Sequence, residues 1–387
     1  MTVYKAIGHL RVAILYTISM TIAIDARIIA TTTGRYIERL IHYLEKIDTD
    51  NDYLILVRKK ELGYYTPTNP RFTIIEADFA DYSFGEQLGL KKLLDQLQPD
   101  LVHFCMPQQP VLYKGTVITT VHDLNLLRIT SNDDMNPVEL RIKKQIFRAL
   151  LRRVAKKSRH ILVPSEFTKQ DLLQFSGIPA SKVTVTLEGA DTVEATPFPV
   201  AELENKPFIM YVGRAEPYKN NRRLIQAHQQ LLKNHPGLRL AIVGVKDTLR
   251  QEDMKWVKKN SYKNVDFLGF VSDAQLAWLY KNTQAYVFPS EMEGFGLPGL
   301  EAMGYGAPVV SSKATSLPEI YKDGAHYFDP LSVEDMGNAI GEVITDQTLR
   351  KKMVAAGKKV HASYSWERMA KQTLTVYKEA LKQKPTE

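Results

Sequence analysis

Short, continuously apolar runs recur along the whole chain, each followed by a longer segment with helical spacing. In the first half these β-branched runs fall at 21–27, 52–58, 71–77, 100–104, 117–123, 160–165 and 183–189. Hydrophobicity that is continuous rather than alternating suits strands covered on both faces, hence a parallel sheet. Between the first two runs, 35–47 places Ile37, Leu40, Ile41, Leu44 and Ile47 on one helical stripe. The second half repeats the scheme, with strands at 208–213, 238–244, 265–270, 285–290 and 308–312. Its intervening helices are expected at 222–234, 251–260, 273–282 and 300–305, and a last helix at 366–382 closes the pattern. Alternation of this kind predicts an α/β protein with doubly wound parallel sheets. Pro197, Pro199 and Pro207 mark an aperiodic linker at 191–206. Two Rossmann-like domains, 20–190 and 207–365, then flank a cleft. Ligands in such folds sit at the carboxyl ends of the strands.

Composition narrows the class further. A chain of 387 residues has room for two or three domains. With 44% hydrophobic and 24% charged residues it is an ordinary globular protein, not a disordered or fibrous one. The single cysteine, Cys105, excludes an internal disulfide and a thiolate metal cluster, and points to a reducing compartment. The charge-free run 12–24 is shorter than the roughly 20 residues a membrane span needs. Lys5 and Arg11 ahead of it look like the start of an export signal. The run continues, however, into Ile24-Asp25-Ala26-Arg27 with no small-residue cleavage site. It is therefore read as the first strand, with Met20 a natural start and 1–19 an extension. The net charge of +8 would suit nucleic acid, but no nucleic-acid motif accompanies it.

The densest chemistry lies at 290–302, Ser-Glu-Met-Glu-Gly-Phe-Gly-Leu-Pro-Gly-Leu-Glu-Ala. A buried strand runs into a glycine-rich turn, and Pro298 suits the first turn of a helix. The free N–H groups of Phe295, Gly296 and Leu297 would face a phosphate. Glu293 and Glu301 bracket the turn, placed to accept hydrogen bonds from sugar or ribose hydroxyls. Gly294, Gly296 and Gly299 also match the dinucleotide pattern G-x-G-x-x-G, which keeps an NAD(P)-dependent oxidoreductase in view. That match lies late in the second domain rather than in a first βα turn. Arg214 and Lys219 follow the first strand of the second domain, where a guanidinium and an ammonium can grip a diphosphate. The adjoining helix is expected to be capped by Asn220 or Asn221. Val121-His122-Asp123 ends a first-domain strand and faces the cleft.

Taken together these motifs resemble the retaining glycosyltransferases of the GT-B fold, family 4 (glycosyl transferases group 1), from Met20 almost to the end. The resemblance rests on Glu293 and Glu301 with seven residues between them, on Gly213-Arg214…Lys219, and on Gly269-Phe270-Val271-Ser272-Asp273. It also rests on Val121-His122-Asp123, Ser165-Glu166-Phe167-Thr168-Lys169, Ile24-Asp25-Ala26-Arg27 and Ser365-Trp366-Glu367. It implies a hexosyltransferase that binds a nucleoside-diphosphate sugar mainly in the second domain. Arg214 and Lys219 would neutralise the diphosphate and stabilise the leaving nucleotide. Phe295, Gly296 and Leu297 would contact phosphate or sugar, Glu293 the sugar hydroxyls and Glu301 the ribose. Phe270, Val271 and Asp273 would lie near the base, and His122 would reach the donor sugar from the first domain. No metal and no cofactor are implied. The last helix, 366–387, would cross back onto the first domain. Many relatives have a glycine-rich loop after the first strand. Here that loop is Ala30-Thr31-Thr32-Thr33-Gly34, with Gly34 as its one glycine for a donor contact.

The opening Ile24-Asp25-Ala26-Arg27 and Val121-His122-Asp123 look most like the mannosyltransferase branch. GDP-mannose is thus the expected donor and a UDP-sugar the alternative, with a glycan or lipid-linked acceptor of polysaccharide or cell-envelope biosynthesis. An inactive sugar-nucleotide-binding module of the same fold is a further alternative. Acceptors would meet first-domain loops such as 64–71 and 126–136. Residues 141–159 hold nine Lys or Arg and no acid, with Ile142, Ile146, Leu150 and Val154 four apart and Phe147 and Leu151 alongside. Either this is a helix with its apolar stripe in the core and a solvated basic face, or Lys143, Lys144, Arg148 and Arg152 meet anionic lipid or an acceptor. The second case places a cytoplasmic protein peripherally on the inner face of the membrane.

Overall fold

The computed structural model describes residues 19–81, 83–129, 136–192 and 195–382. The expected extension, apart from Ser19, therefore lies outside the described residues, as do part of the linker, most of the 126–136 loop tip and the last five residues.

The first half runs β1 (Thr21–Asp25), α1 (Gly34–Ile47), β2 (Asp52–Val57), β3 (Phe72–Glu76), α2 (Lys91–Leu97), β4 (Leu101–Phe104) and β5 (Val117–Thr120). It continues through α3 (Asn125–Arg128), α4 (Pro137–Lys157), β6 (His160–Val163), α5 (Glu166–Ser176) and β7 (Val183–Val185). Its seven strands pair in the order β3-β2-β1-β4-β5-β6-β7, all parallel. The second half runs β8 (Phe208–Val212), α6 (Asn221–Leu231), β9 (Arg239–Val243), α7 (Thr248–Lys259), β10 (Val265–Gly269), α8 (Asp273–Asn282) and β11 (Ala285–Phe288). It ends with α9 (Leu297–Tyr305), β12 (Val309–Ser312), α10 (Leu317–Tyr321), β13 (Ala325–Phe328), α11 (Val333–Thr345), α12 (Gln347–Ala362) and α13 (Trp366–Lys382). These six strands are also parallel, in the order β10-β9-β8-β11-β12-β13. The fold is α/β, two doubly wound Rossmann-like domains.

Every strand expected from the apolar runs is present, shortened at one or both ends. Val121-His122-Asp123, Ser165 and Glu188 leave their sheet to build cleft loops. β13 escapes the pattern because Ala-His-Tyr-Phe is mixed in polarity and only partly buried at the sheet edge. The run at 21–25 is a central strand, with Ile22, Ala23 and Ile24 fully buried. α13 returns to the first domain. Trp366, Met369, Ala370 and Tyr377 pack among Ile22, Leu40 and Tyr53. His103 on β4 shares a hydrogen bond of 2.6 Å with the Tyr377 hydroxyl through Nδ1, and one of 2.8 Å with Thr120 through Nε2.

The basic helix differs in part from expectation. It starts at Pro137 behind a capping box made by Asn136 and Glu139. Its buried face is Leu140, Phe147, Leu151, Val154 and Ala155, while Ile142 and Ile146 stand exposed beside Val138. A strict four-residue repeat advances by about 40° per step around a helix of 3.6 residues per turn, so it drifts off any one face. The core takes the seven-and-four spacing instead. Among the described residues no helix is long and apolar enough to cross a membrane.

Candidate active site between the two sheets

Adjacent parallel strands deliver the second-domain half of the site. β8 and β11 are neighbours, so their carboxyl-end loops lie side by side. The Glu291 amide donates to the Tyr218 carbonyl at 2.8 Å, and Asn220 Nδ2 donates to the carbonyls of Pro289 at 3.0 Å and Pro330 at 2.7 Å. Asn220 is thus a loop clamp in the left-handed region (φ 62°) and makes no side-chain cap, contrary to its expected role. Lys219 Nζ meets Glu293 Oε1 at 2.6 Å. Burial works against the Lys219 charge, yet the Glu293 carboxylate and nearby phenols outweigh it and hold the ammonium well above the usual lysine range.

The turn between Glu293 and α9 is shaped by packing. Thr315 Oγ1 accepts from the Glu293 amide at 2.9 Å, and Ser316 donates to the Glu293 carbonyl at 3.0 Å. The Tyr321 hydroxyl donates to the Gly296 carbonyl at 2.6 Å. Gly296 has φ 106°, and a Cβ there would lie 2.5 Å from that hydroxyl, so glycine is required twice over. α9 starts at Leu297 with no side-chain cap; Pro298 has no N–H and the Gly299 amide meets the Tyr321 hydroxyl, so the Leu297 amide leads the positive end of the helix.

The first domain closes over this turn. A Cβ on Gly294 would come within 2.0 Å of the His122 carbonyl, so the two domains touch backbone to backbone. Ser165 Oγ, at the amino-terminal cap of α5, donates to the Gly294 carbonyl at 2.7 Å. His122 Nε2 lies 3.1 Å from the Cys105 carbonyl, its Nδ1 lies 3.4 Å from Glu188 Oε1, and Tyr36 packs edge-on against its ring. Burial pushes the Asp123 carboxyl above its usual range, opposed by the Asn125 amide. His122 and Lys219 act in the same direction as that amide, and Glu293 adds to the rise. Three carboxylates, Asp123, Glu188 and Glu293, with His122 and Lys219 therefore share one low-dielectric space drawn from both domains.

Other expected residues lie apart from this group. Arg214 is 57% exposed and pairs with Glu216 at 2.8 Å, not with Lys219 or Glu293. Its loop is held by Arg250, a buried side chain donating to the Gly213 carbonyl at 2.9 Å. Glu301 is buried and pairs with Arg35 of α1 across the cleft. Phe270 follows edge strand β10, two strands from β8, and is 89% exposed. Val271 packs on the second-domain core and Asp273 opens α8. Gly34 is buried because a Cβ would strike the Ile29 carbonyl at 1.9 Å, so its own turn demands glycine. Lys143, Lys144, Arg148 and Arg152 lie along α4, outside this group. Sequence reasoning missed Glu188, Arg35, Arg250 and Glu319, whose carboxylate accepts from the Glu166 and Phe167 amides of the first domain. Glu188 was within reach of the carboxyl-end rule, since it follows β7. The others act through partners far away in sequence. Among the described residues no three His, Cys, Asp or Glu side chains gather as a metal site.

Comparison with known proteins agrees with this architecture. The family described as Glycosyl transferases group 1 matches residues 193–360, and Glycosyltransferase Family 4 matches 33–194. The chain is 30% identical to O-antigen chain mannosyltransferase B of Escherichia coli over 272 residues, 67% of this chain and 70% of that protein. It is 29% identical to O-antigen chain mannosyltransferase RfbU of Salmonella typhimurium, covering 59% of this chain and 65% of the relative. Matches to other relatives span between 26% and 55% of their lengths. Sucrose-phosphate synthase from Thermosynechococcus elongatus superposes with a TM-score of 0.75 over 93% of this chain and 98% of that one, at 18% identity. Anabaena HepE in complex with UDP-glucose gives 0.70 over 93% and 100%, at 17% identity. With its two sheets, their shared cleft and both family matches in register, this chain belongs to the family 4, group 1 glycosyltransferases of the GT-B fold.

Proposed function

We propose that the chain transfers a hexose, with retention of anomeric configuration and without a metal, from a nucleoside-diphosphate sugar to a glycan or lipid-linked acceptor. The observation that carries this reading is the Lys219–Glu293 pair at the positive amino terminus of α9, facing His122 across the cleft. Lys219 and the Leu297 amide of α9 bind the diphosphate and take up charge as the sugar–phosphate bond breaks. Arg214, exposed, swings from Glu216 to the same phosphates. Glu293 accepts from sugar hydroxyls, and Glu301 exchanges Arg35 for the ribose. His122, whose ring nitrogens rest on Glu188 and the Cys105 carbonyl, turns one N–H from its partner to the sugar. The acceptor oxygen bonds to the anomeric carbon on the face the phosphate leaves, and its proton passes to the departing phosphate oxygen.

Mannose from GDP-mannose is the preferred donor, supported by relatives named as mannosyltransferases. A UDP-sugar is the second reading, supported by the solved neighbour that holds UDP-glucose. Phe270, bare to solvent, is placed to stack on either base. The exposed Val138, Ile142 and Ile146 of α4, set among Lys143, Lys144, Arg148 and Arg152, support peripheral contact with anionic membrane on the cytoplasmic side. A thermal-shift panel of GDP, UDP, ADP and dTDP, their sugars and NAD(P) tests the donor. Stabilisation by one nucleoside diphosphate, followed by turnover undiminished by chelator, is the expected result. Stabilisation by NAD(P) alone would overturn the reading.

A further inference from the structure

At the amino-terminal edge of the first sheet, away from the cleft, a cavity of about 940 Å³ opens between the last turn of α4 and the residues that lead into β4, β5, β6 and β7. Its lining carries Lys114, Arg153, Lys156, Lys157, Lys182 and Arg159, the last donating to the Ala380 carbonyl at 3.0 Å, against one carboxylate, Asp100. Asp100 is turned inward, accepting from the Thr21 amide at 2.8 Å. The nearby ion pairs of this domain lie elsewhere, Lys91 with Asp95 and Arg128 with Asp171. Among the described residues Lys114, Arg153, Lys156, Lys157 and Lys182 have no carboxylate within ion-pair distance.

These cations are aimed, not splayed. Lys157 Nζ donates to the Pro110 carbonyl at 3.3 Å and stands over the Tyr113 ring. Arg153 reaches the Val111 carbonyl at 3.4 Å through Nε and Nη2, and Lys182 Nζ reaches the Lys156 carbonyl at 2.5 Å. Burial, with Arg153 adding to it, pushes Lys157 down to about 8. The carboxyl end of α4 carries roughly half a negative charge, which one lysine offsets, so most of the positive charge is left over. Gathering like charges in a partly buried groove is costly unless an anion joins them.

We propose that this groove binds a phosphate-bearing ligand, either a lipid headgroup or a free phosphate compound, at a site separate from the donor cleft. Four ammonium groups and a guanidinium match a multiply charged phosphate better than a single carboxylate. The volume lies in the range of small-ligand cavities. Exposed Leu112 at the rim offers apolar surface beside the charges. β5 begins at this groove with Val117 and delivers His122 at its other end, so one ligand cannot occupy both places.

Sodium pyrophosphate titrated calorimetrically into the full chain bearing Lys219→Ala and Arg214→Ala, which weakens the cleft, reads the groove alone. Two groove variants are added to that background. The first is Arg153→Ala with Lys157→Met. The second is Lys114→Glu with Lys156→Glu, both at exposed positions that tolerate change. Affinity is expected to fall by about tenfold or more in each. Absence of binding in the background protein, or unchanged affinity in both groove variants, overturns the proposal. Flotation with phosphatidylglycerol vesicles then separates the sources, both of which uphold it. Vesicle binding that pyrophosphate competes away identifies a lipid headgroup. Groove-dependent pyrophosphate binding without vesicle capture identifies a free phosphate compound.

Discussion

On the second-domain side of the cleft, the backbone from Glu293 to Gly296 is gripped by Thr315, Ser316 and Tyr321, and Glu293 itself by Lys219. On the first-domain side, His122 has a carbonyl, a carboxylate and a ring edge for company, and the loop beyond Asp123 leads into a short helix of four residues. One half is pre-organised by packing; the other presents a few oriented groups on a short loop, 121–124. The difference teaches where binding energy can be used. A rigid, charged half can stabilise developing phosphate charge without rearranging, whereas a looser half can be altered to suit different acceptors.

The sharpest break of this comparison is in turnover. Lys219→Ala and Glu293→Gln should each lower kcat by a hundredfold to a thousandfold, as for loss of a preorganised electrostatic contact, with the circular dichroism spectrum unchanged. His122→Ala should lower it about tenfold, the value of one hydrogen bond lost, and leave nucleoside-diphosphate affinity as it was. Equal losses on both sides, in single-turnover assays, would mean the halves share the chemistry evenly.

Acid should act on both halves alike. Each domain buries a histidine kept neutral mainly by burial: His103 pushed down to about 3 and His228 to about 4. The unfolded chain binds these protons near pH 6.5, so stability is fully present above that value. It is lost as pH falls toward 4 and 3, by up to about 1.4 kcal/mol per pH unit for each histidine. Melting temperature against pH should therefore drop steeply below 6.5, and His228→Gln should flatten part of that limb. Gly294→Ala attacks the join itself. Its Cβ would press on the His122 carbonyl, at an expected cost of about 1–3 kcal/mol. The melting temperature should fall, and turnover should fall with nucleotide affinity retained.

Legibility in the sequence follows the same division. The sheets were readable because strands covered on both faces must be apolar throughout, and edge strand β13, half-exposed, was not. The glycine-rich turn was readable because glycine, proline and carboxylate at 293–301 each have a local reason to be there. Gly296 needs a positive φ, Pro298 sits in a first helical turn, and Glu293 has a cation to meet. The α4 face was read in part: Phe147, Leu151 and Val154 are in the core, but Ile142 and Ile146, taken from a four-residue repeat where the helix turns every 3.6, are not. Arg35 with Glu301, Arg250 with Gly213 and Glu188 with His122 were illegible for a different cause. Each pairing spans 37 or more residues and exists only after the chain has folded.

The smallest expected effect tests whether the two halves are held together from outside the chemistry. Glu319, on α10 of the second domain, accepts from the amides of Glu166 at 2.8 Å and Phe167 at 2.9 Å, the first two residues of α5 in the first domain. Ser165 already caps that helix from within through the Thr168 amide. The carboxylate thus completes the cap across the domain boundary and places negative charge at the positive end of α5. Glu319→Gln keeps one acceptor and should cost a few tenths of a kcal/mol. Glu319→Ala should cost about 1 kcal/mol, the usual value of a lost cap. Because the contact bridges the domains, the loss should appear as a more open pair of domains in small-angle scattering, and as a KM for donor raised a few-fold with little change in kcat. A lower melting temperature with unaltered scattering would assign Glu319 to α5 alone, and the hold between the halves would then rest on Ser165, Gly294 and Arg35.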